Sequence, residues 1–191
     1  MSHSFYALLS RMRYISRWGL MRSTERENLA EHSLQCALFA HALALVGNRY
    51  FQKSYDAQQA ALLALFHDAS EILTGDMPTP IKYANPALRE AYRTVEAEAV
   101  EGLLNRLPEE LREDYRPLLK EEAPAELTAL VKAADKLCAY CKCMEELKSG
   151  NREFAAAARA NAAAVADLHL PEADWFMTHC APAFSLELDA Q

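Results

Sequence analysis

Three observations predict an all-α chain. Only five glycines occur in 191 residues, too few for a protein built on many tight β-turns. Apolar side chains recur at three- and four-residue intervals in one segment after another. Alanine-rich stretches, above all in residues 152–168, favour helix. Hydrophobic residues make up 51% and charged residues 25% of the chain, an ordinary globular balance. The length suits one domain with a substantial core, so residues 1–191 are expected to form a single domain.

The helices follow in order. Phe5, Leu8, Leu9, Met12 and Ile15 share one face over residues 4–15, and Arg17-Trp18-Gly19 breaks the pattern. Asn28 and Glu31 form a capping box for a helix with an apolar stripe of Leu34, Leu38 and Leu45. Cys36, Phe39 and Leu43 flank that stripe; His32 is expected to point inward, and His41 to lie on the stripe as a core residue. Asp56 and Gln59 cap the next helix, which ends at His67-Asp68. Pro78 and Pro80 stiffen the connection beyond and push Met77 and Thr79 towards extended conformations. Asn85-Pro86 opens a helix with Leu88, Tyr92, Val95 and Leu103 on one face, and Pro108 and Pro117 bracket a short amphipathic one. Pro124 opens a long helix closed by Ser149-Gly150, and Pro171 begins the last, anchored by Trp175 and Phe176.

Charge and composition exclude several classes. Twenty basic against twenty-seven acidic residues give a net charge of −7, which disfavours a nucleic-acid polymer or a membrane surface as partner. No unbroken run of eighteen apolar residues occurs, so no transmembrane helix is predicted. The start, Met1-Ser2-His3-Ser4-Phe5, lacks the regions of a signal peptide. Five cysteines without a disulfide spacing read as reduced thiols, which places the chain in the cytoplasm. Cys138, Cys141 and Cys143 fall inside a helix with no second zinc-binding pair, which argues against structural zinc.

The chemistry concentrates at one helix end. After an apolar run, His67 and Asp68 offer a nitrogen and an oxygen, and Glu71 returns to the same helix face. Asp135 falls among the core positions Val131, Ala134 and Cys138, where a carboxylate must be paired, hydrogen-bonded or metal-bound. His32, His67, Asp68 and Asp135 together supply two imidazoles and two carboxylates from three helices. That set suits one divalent ion such as Co, Mn, Fe, Zn or Mg. Such an ion lowers the pKa of a bound water and neutralises phosphate charge, which is hydrolytic chemistry. Glu71 is better placed to give or take a proton beside the ligands than to be a further ligand. The stiff segment bearing Asp76 and Thr79 is either a substrate wall or a plain turn, and Arg17-Trp18 either a phosphate clamp or a loop anchor.

The order His32 … His67-Asp68 … Asp135 resembles the metal-dependent HD-domain phosphohydrolases. The longer segments resemble the bacterial HD-domain 5'-deoxynucleotidases over nearly the whole chain, as far as Phe184. They are Ser16-Arg17-Trp18, Glu31-His32-Ser33-Leu34, His67-Asp68-Ala69-Ser70-Glu71, the run from Thr74 to Lys82 and Lys132-Ala133-Ala134-Asp135. Met77 stands where the family pattern has leucine, a conservative exchange. The resemblance implies a single all-α HD domain that hydrolyses deoxyribonucleoside 5'-monophosphates with one divalent ion, little base selectivity and discrimination against ribonucleotides. It implies His32, His67, Asp68 and Asp135 as metal ligands and Glu71 and Asp68 as catalytic residues. Arg17 and Trp18 would orient the phosphate, Asp68 would contact substrate as well, and Asp76, Met77, Pro78 and Thr79 would line the nucleotide pocket. A homodimer is implied in the same way. The alternatives are an HD phosphohydrolase acting on another nucleotide, a nucleotide sensor without turnover, and an all-α interaction protein whose histidines are core. No histidine lies between His67 and Asp135, which favours one metal over several.

Overall fold

Helices begin where the capping side chains stand. In the computed structural model, which describes residues 3–82 and 85–190, α1 (Phe5–Leu9) continues as a 3-10 turn over Ser10–Tyr14. Then come α2 (Leu29–Tyr50), α3 (Ala57–Phe66), α4 (Glu71–Thr74), α5 (Thr79–Lys82) and α6 (Pro86–Leu104). The chain continues with α7 (Arg112–Leu119), α8 (Ala125–Lys148), α9 (Ala155–Ala166) and α10 (Pro171–His179). No strand occurs among the described residues, only an isolated antiparallel bridge between Ser16 and Asn28. The fold is all-α.

The expected caps are present. Asn28 Oδ1 accepts from the N–H groups of Ala30 and Glu31 at 3.0 and 3.1 Å, and Glu31 Oε2 accepts from Asn28 N at 3.1 Å. This is a complete capping box, satisfying donors that a helix start leaves open. Asp56 Oδ1 accepts from Gln59 N at 2.9 Å, and Asn85 Oδ1 from Leu88 N at 2.8 Å. Gly150, at φ 84, ends α8 by donating its N–H to Leu147 O. A left-handed residue there closes the helix at no Cβ cost.

Packing divides the chain into two compact units. The first holds residues up to Arg22, Arg26–Ser33 and Phe66–Ala123. Its core sets Phe5 among Val100, Leu103, Leu104, Leu107 and Leu119, with Met12, Leu29 and Ile72 forming a second cluster. Phe5 is fully buried and meets the Tyr115 ring edge-on at 5.0 Å. Burying such a ring contributes about 2–3 kcal/mol. The helix α6 buries Tyr92, Ala99, Val100, Leu103 and Leu104, whereas Val95 is exposed.

The second unit holds Ser23–Glu25, Leu34–Leu65 and the chain from Pro124 on. Its α8 packs along α9 and α10, with Phe154, Val165 and Phe176 buried. Phe39 meets Phe176 at 4.8 Å, and Tyr50 stacks on Trp175 at 5.2 Å. Fully buried Glu146 is met by Thr24 N and Oγ1 at 2.8 and 2.7 Å, Lys142 Nζ at 2.6 Å and Asn151 Nδ2 at 2.8 Å. Those donors hold its carboxyl well below the usual carboxylate range, against the upward push of burial.

The structure corrects four expectations. Leu34, Leu38 and Leu45 are exposed by 57, 61 and 50%, and His41 is exposed with them. Instead α2 buries His32, Ser33, Cys36, Ala40, Leu43 and Ala44. The helix is apolar on almost every side, so periodicity identifies it without saying which face turns inward. By length and composition α2 also reaches a bilayer's span, which a count of unbroken apolar residues misses; a helix that buries His32 and Ser33 beside Cys36, Leu43 and Ala44 passes the same measure as part of a protein core. Thr79 is not extended but begins α5, where Pro78 O accepts from Ile81 N and Lys82 N at 2.8 and 3.0 Å. Pro117 lies inside α7 rather than beyond it.

Candidate metal centre

The turn after α3 builds the site. The helix stops at Phe66, and His67 to Ser70 form a turn before α4 begins at Glu71. Ala69 N donates to Phe66 O and Glu71 N to Asp68 O, both at 3.0 Å. Glu71 therefore reaches the His67-Asp68 side through tight successive turns, not along one continuous helix as its spacing suggested. From the N-terminal side, Leu29 N donates to Ile15 O at 2.9 Å and Arg17 N to Glu27 O at 3.0 Å. This short ladder lays Arg17 and Trp18 beside the start of α2, the element that carries His32.

Three predicted residues converge on one carboxylate oxygen of a fourth. Asp68 Oδ2 lies 3.1 Å from His67 Nε2, 3.3 Å from Arg17 Nη1 and 3.5 Å from His32 Nε2. His32 is fully buried, and one nitrogen of it lies within 4.8 Å of one of His67. Burial alone would raise the Asp68 pKa, but the facing His67 and His32 outweigh it and hold the carboxylate well below its usual range.

Glu27 is the residue that sequence reasoning missed. Its Oε1 faces His32 Nδ1 at 3.6 Å, its Oε2 faces Arg17 Nε at 3.7 Å, and Trp18 Nε1 donates to Oε2. Burial pushes its pKa up, yet the His32 contact and the Arg17 charge bring it down overall. A carboxylate behind a ligand histidine fixes its tautomer and ring orientation. Glu27 sits in a polar loop with no periodic signal; only the partner ladder from Ile15 to Arg17 would have revealed it. Trp18 itself, at φ 59, holds a left-handed backbone conformation that is uncommon and costs energy in a bulky residue.

Glu71 is 7% exposed, and its Oε2 has no hydrogen-bond partner among the described residues. Burial, then the charges of Asp68 and Asp76, push its pKa up to about 9, with Arg17 and Lys82 opposing. Asp76 is also raised, by burial and Asp68, with Arg17 opposing. Asp76, Met77 and Pro78 are half-buried in the segment between α4 and α5, and Thr79 is exposed. A cavity of about 980 Å³ is lined by His67, Asp68, Glu71, Lys82, Glu96 and Glu121 among others.

Asp135 lies half-buried on α8, with Lys136 Nζ 2.8 Å from its Oδ2 and a carboxylate oxygen within 4.8 Å of Cys36 Sγ. Cys36 was read only as a core residue. Within the first unit, two imidazole nitrogens and a carboxylate oxygen converge without a thiolate, a donor set that fits a borderline or hard divalent ion.

Comparison with known proteins gives concordant results. A family model described as 5'-deoxynucleotidase YfbR-like matches residues 4–184. A 5'-deoxynucleotidase of Vibrio vulnificus is 49% identical over 97% of this chain and 96% of its own. An HD-domain phosphohydrolase from Listeria innocua superposes with a TM-score of 0.83 at 24% identity, covering 97% of this chain and 90% of that one. A cyanophage S-2L HD phosphohydrolase, solved bound to dA and one catalytic Zn²⁺ ion, superposes with a TM-score of 0.54 at 28% identity. It covers 72% of this chain and 69% of its own.

Proposed function

The chain belongs to the YfbR-like 5'-deoxynucleotidase family, and from that premise we propose that it hydrolyses deoxyribonucleoside 5'-monophosphates to deoxynucleoside and phosphate. The observation that carries this reading is the convergence of His67, His32 and Arg17 on the Asp68 carboxylate, each within 3.5 Å. His32, His67, Asp68 and Asp135 would hold one divalent ion, Asp135 being assigned by its place in the sequence pattern. When bound, the ion supplies charge neutralisation at phosphate and an acidified water.

The remaining work falls to the chain's own side chains. Arg17, held between Asp68 and Glu27, presents a planar cation to the phosphate oxygens, where charge builds as water attacks phosphorus. Glu71, its carboxyl pKa raised by burial and by the charges of Asp68 and Asp76, would deliver a proton to the departing 5'-oxygen as the P–O bond breaks. The water's proton then restores the carboxyl group. Trp18 orients the phosphate together with Arg17, and residues 76–79 line the nucleotide pocket and exclude a 2'-hydroxyl without reading the base.

Further readings have their own support. The family match runs through both packing units, which supports one HD domain over residues 1–191. Five cysteines outside any disulfide, with Cys36 Sγ and Cys138 Sγ 3.4 Å apart, suit a reducing cytoplasm. The exposed Leu34, Leu38 and Leu45 along α2 form an apolar stripe suited to a second copy of this chain in a homodimer.

The test is phosphate release from dAMP against AMP and dUMP against UMP, with Co²⁺, Mn²⁺ or Mg²⁺ and after chelation. Release from the deoxy substrates alone, lost on chelation, is expected. Absence of release from any pair would remove the assignment and leave a sensor or another phosphate ester.

A further inference from the structure

Both ends of the segment that carries Asp76 to Thr79 are tied to α6. We propose that Tyr92 and Glu96 of that helix are positioning residues, which hold this segment in place and thereby set how strictly the deoxy sugar is selected. The inference rests on the reading that residues 76–79 meet the nucleotide.

At the near end, Gly75 adopts φ 76 and ψ 159, a conformation that residues with a side chain rarely take. Its carbonyl lies 3.1 Å from Thr74 Oγ1 and 3.3 Å from Tyr92 OH, and the two hydroxyls are 3.2 Å apart. Three oxygens thus share two hydroxyl hydrogens, so a side chain of α6 helps fix where this carbonyl points. Tyr92 is itself 6% exposed, with little freedom to follow a drifting loop.

At the far end, Lys82 closes α5 and places Nζ 2.7 Å from Glu96 Oε1 and 5.0 Å from the centre of the Tyr92 ring. Tyr92 and Glu96 stand four residues apart on α6, so one helix face holds both ends. The Lys82–Glu96 pair is about three-quarters buried on each side, which makes it stiffer than a solvated surface pair. Between the two ties, Pro78 and Pro80 lock two backbone torsions. A segment this short, fixed at both ends and stiffened between, has little slack. Releasing either tie displaces Asp76 and Thr79 together.

A wall that rejects a single added hydroxyl depends on being held to within about an ångström. Loosening the ties therefore costs selectivity and substrate affinity before it costs the chemical step. The test uses Tyr92→Phe, Glu96→Ala, their combination and Lys82→Arg, which retains the cation. Steady-state rates on dAMP and AMP are read beside metal content and amide exchange of residues 75–82. In the combined variant the KM for dAMP should rise about threefold to tenfold, with kcat within about twofold of wild type. The dAMP-over-AMP preference should fall by a similar factor, exchange should quicken, and one metal per chain should be kept. Lys82→Arg, which keeps a cation opposite Glu96, should keep the slow exchange of wild type.

Unchanged KM, preference and exchange in the combined variant would overturn the proposal. So would a joint loss of kcat and metal at constant KM, which would mark these residues as supports of the metal ligands. Failure of the wild-type protein to release phosphate from either sugar is a different result. It would overturn the functional reading and the selectivity with it, while quickened exchange would still support the two ties.

Discussion

Arg17 Nη1 stands 3.3 Å from Asp68 Oδ2, joining residues 51 positions apart in the chain. The same carboxylate oxygen faces His67 and His32, so the cation proposed to bind phosphate and the imidazoles proposed to hold a metal share one atom. Substitutions around that atom should therefore separate by which of the two they disturb.

Arg17→Ala should retain the metal and lose catalytic efficiency. Removing a charged donor to developing phosphate charge costs about 1.5–3 kcal/mol, or roughly 10- to 150-fold in kcat/KM. Arg17→Lys should recover little, because one ammonium cannot span Asp68, Glu27 and phosphate as a planar fork does. Kinetics with metal content measured in parallel decide the point; loss of metal from Arg17→Ala would make the residue structural.

Glu71→Gln should bind metal normally and turn over at least about 100-fold more slowly. The replacement matches the neutral carboxyl in shape and cannot transfer its proton. Full turnover in this variant would take the proton-transfer role away from Glu71.

His67→Ala and Asp68→Ala should abolish both metal retention and phosphate release, and chelation of the wild-type protein should reproduce the loss of release. Glu27→Gln should be milder, about 10- to 100-fold weaker in metal affinity or rate, because it acts through His32 and Arg17. Metal titration of each variant checks the order.

Glu146 governs stability rather than turnover. Glu146→Ala leaves the buried Lys142 ammonium with only the Glu25 carbonyl to accept from it, a loss of about 3 kcal/mol and a fall in Tm of roughly 6–12 °C for a chain of this size. The folded-state pKa of Glu146 is depressed, so its contribution is fully present above the ordinary glutamate pKa. That contribution is lost progressively as pH falls below about 4.3. Thermal melts from pH 7 down to pH 3 should show a steeper loss for wild type than for Glu146→Gln.

The sequence by itself determined most of the helices, their starts and which side chains are candidates for the site. Asn28, Asp56 and Asn85 announce their helices because a cap is a local hydrogen bond, complete within three residues. His67-Asp68 and Glu71 announce the site because ionisable groups beside an apolar run must be compensated. Tertiary structure decided what depends on partners distant in sequence. Periodicity could not choose between the Leu34–Leu38–Leu45 face of α2 and the face bearing His32 and Cys36, since both are apolar enough to bury. Glu27 became a site residue only when the Ile15–Arg17 ladder laid it beside Arg17 and His32. The raised pKa of Glu71 likewise arises from burial and from the charges of Asp68 and Asp76. A local rule can be read from neighbours in the chain, whereas burial and electrostatic fields exist only once the chain has folded around them.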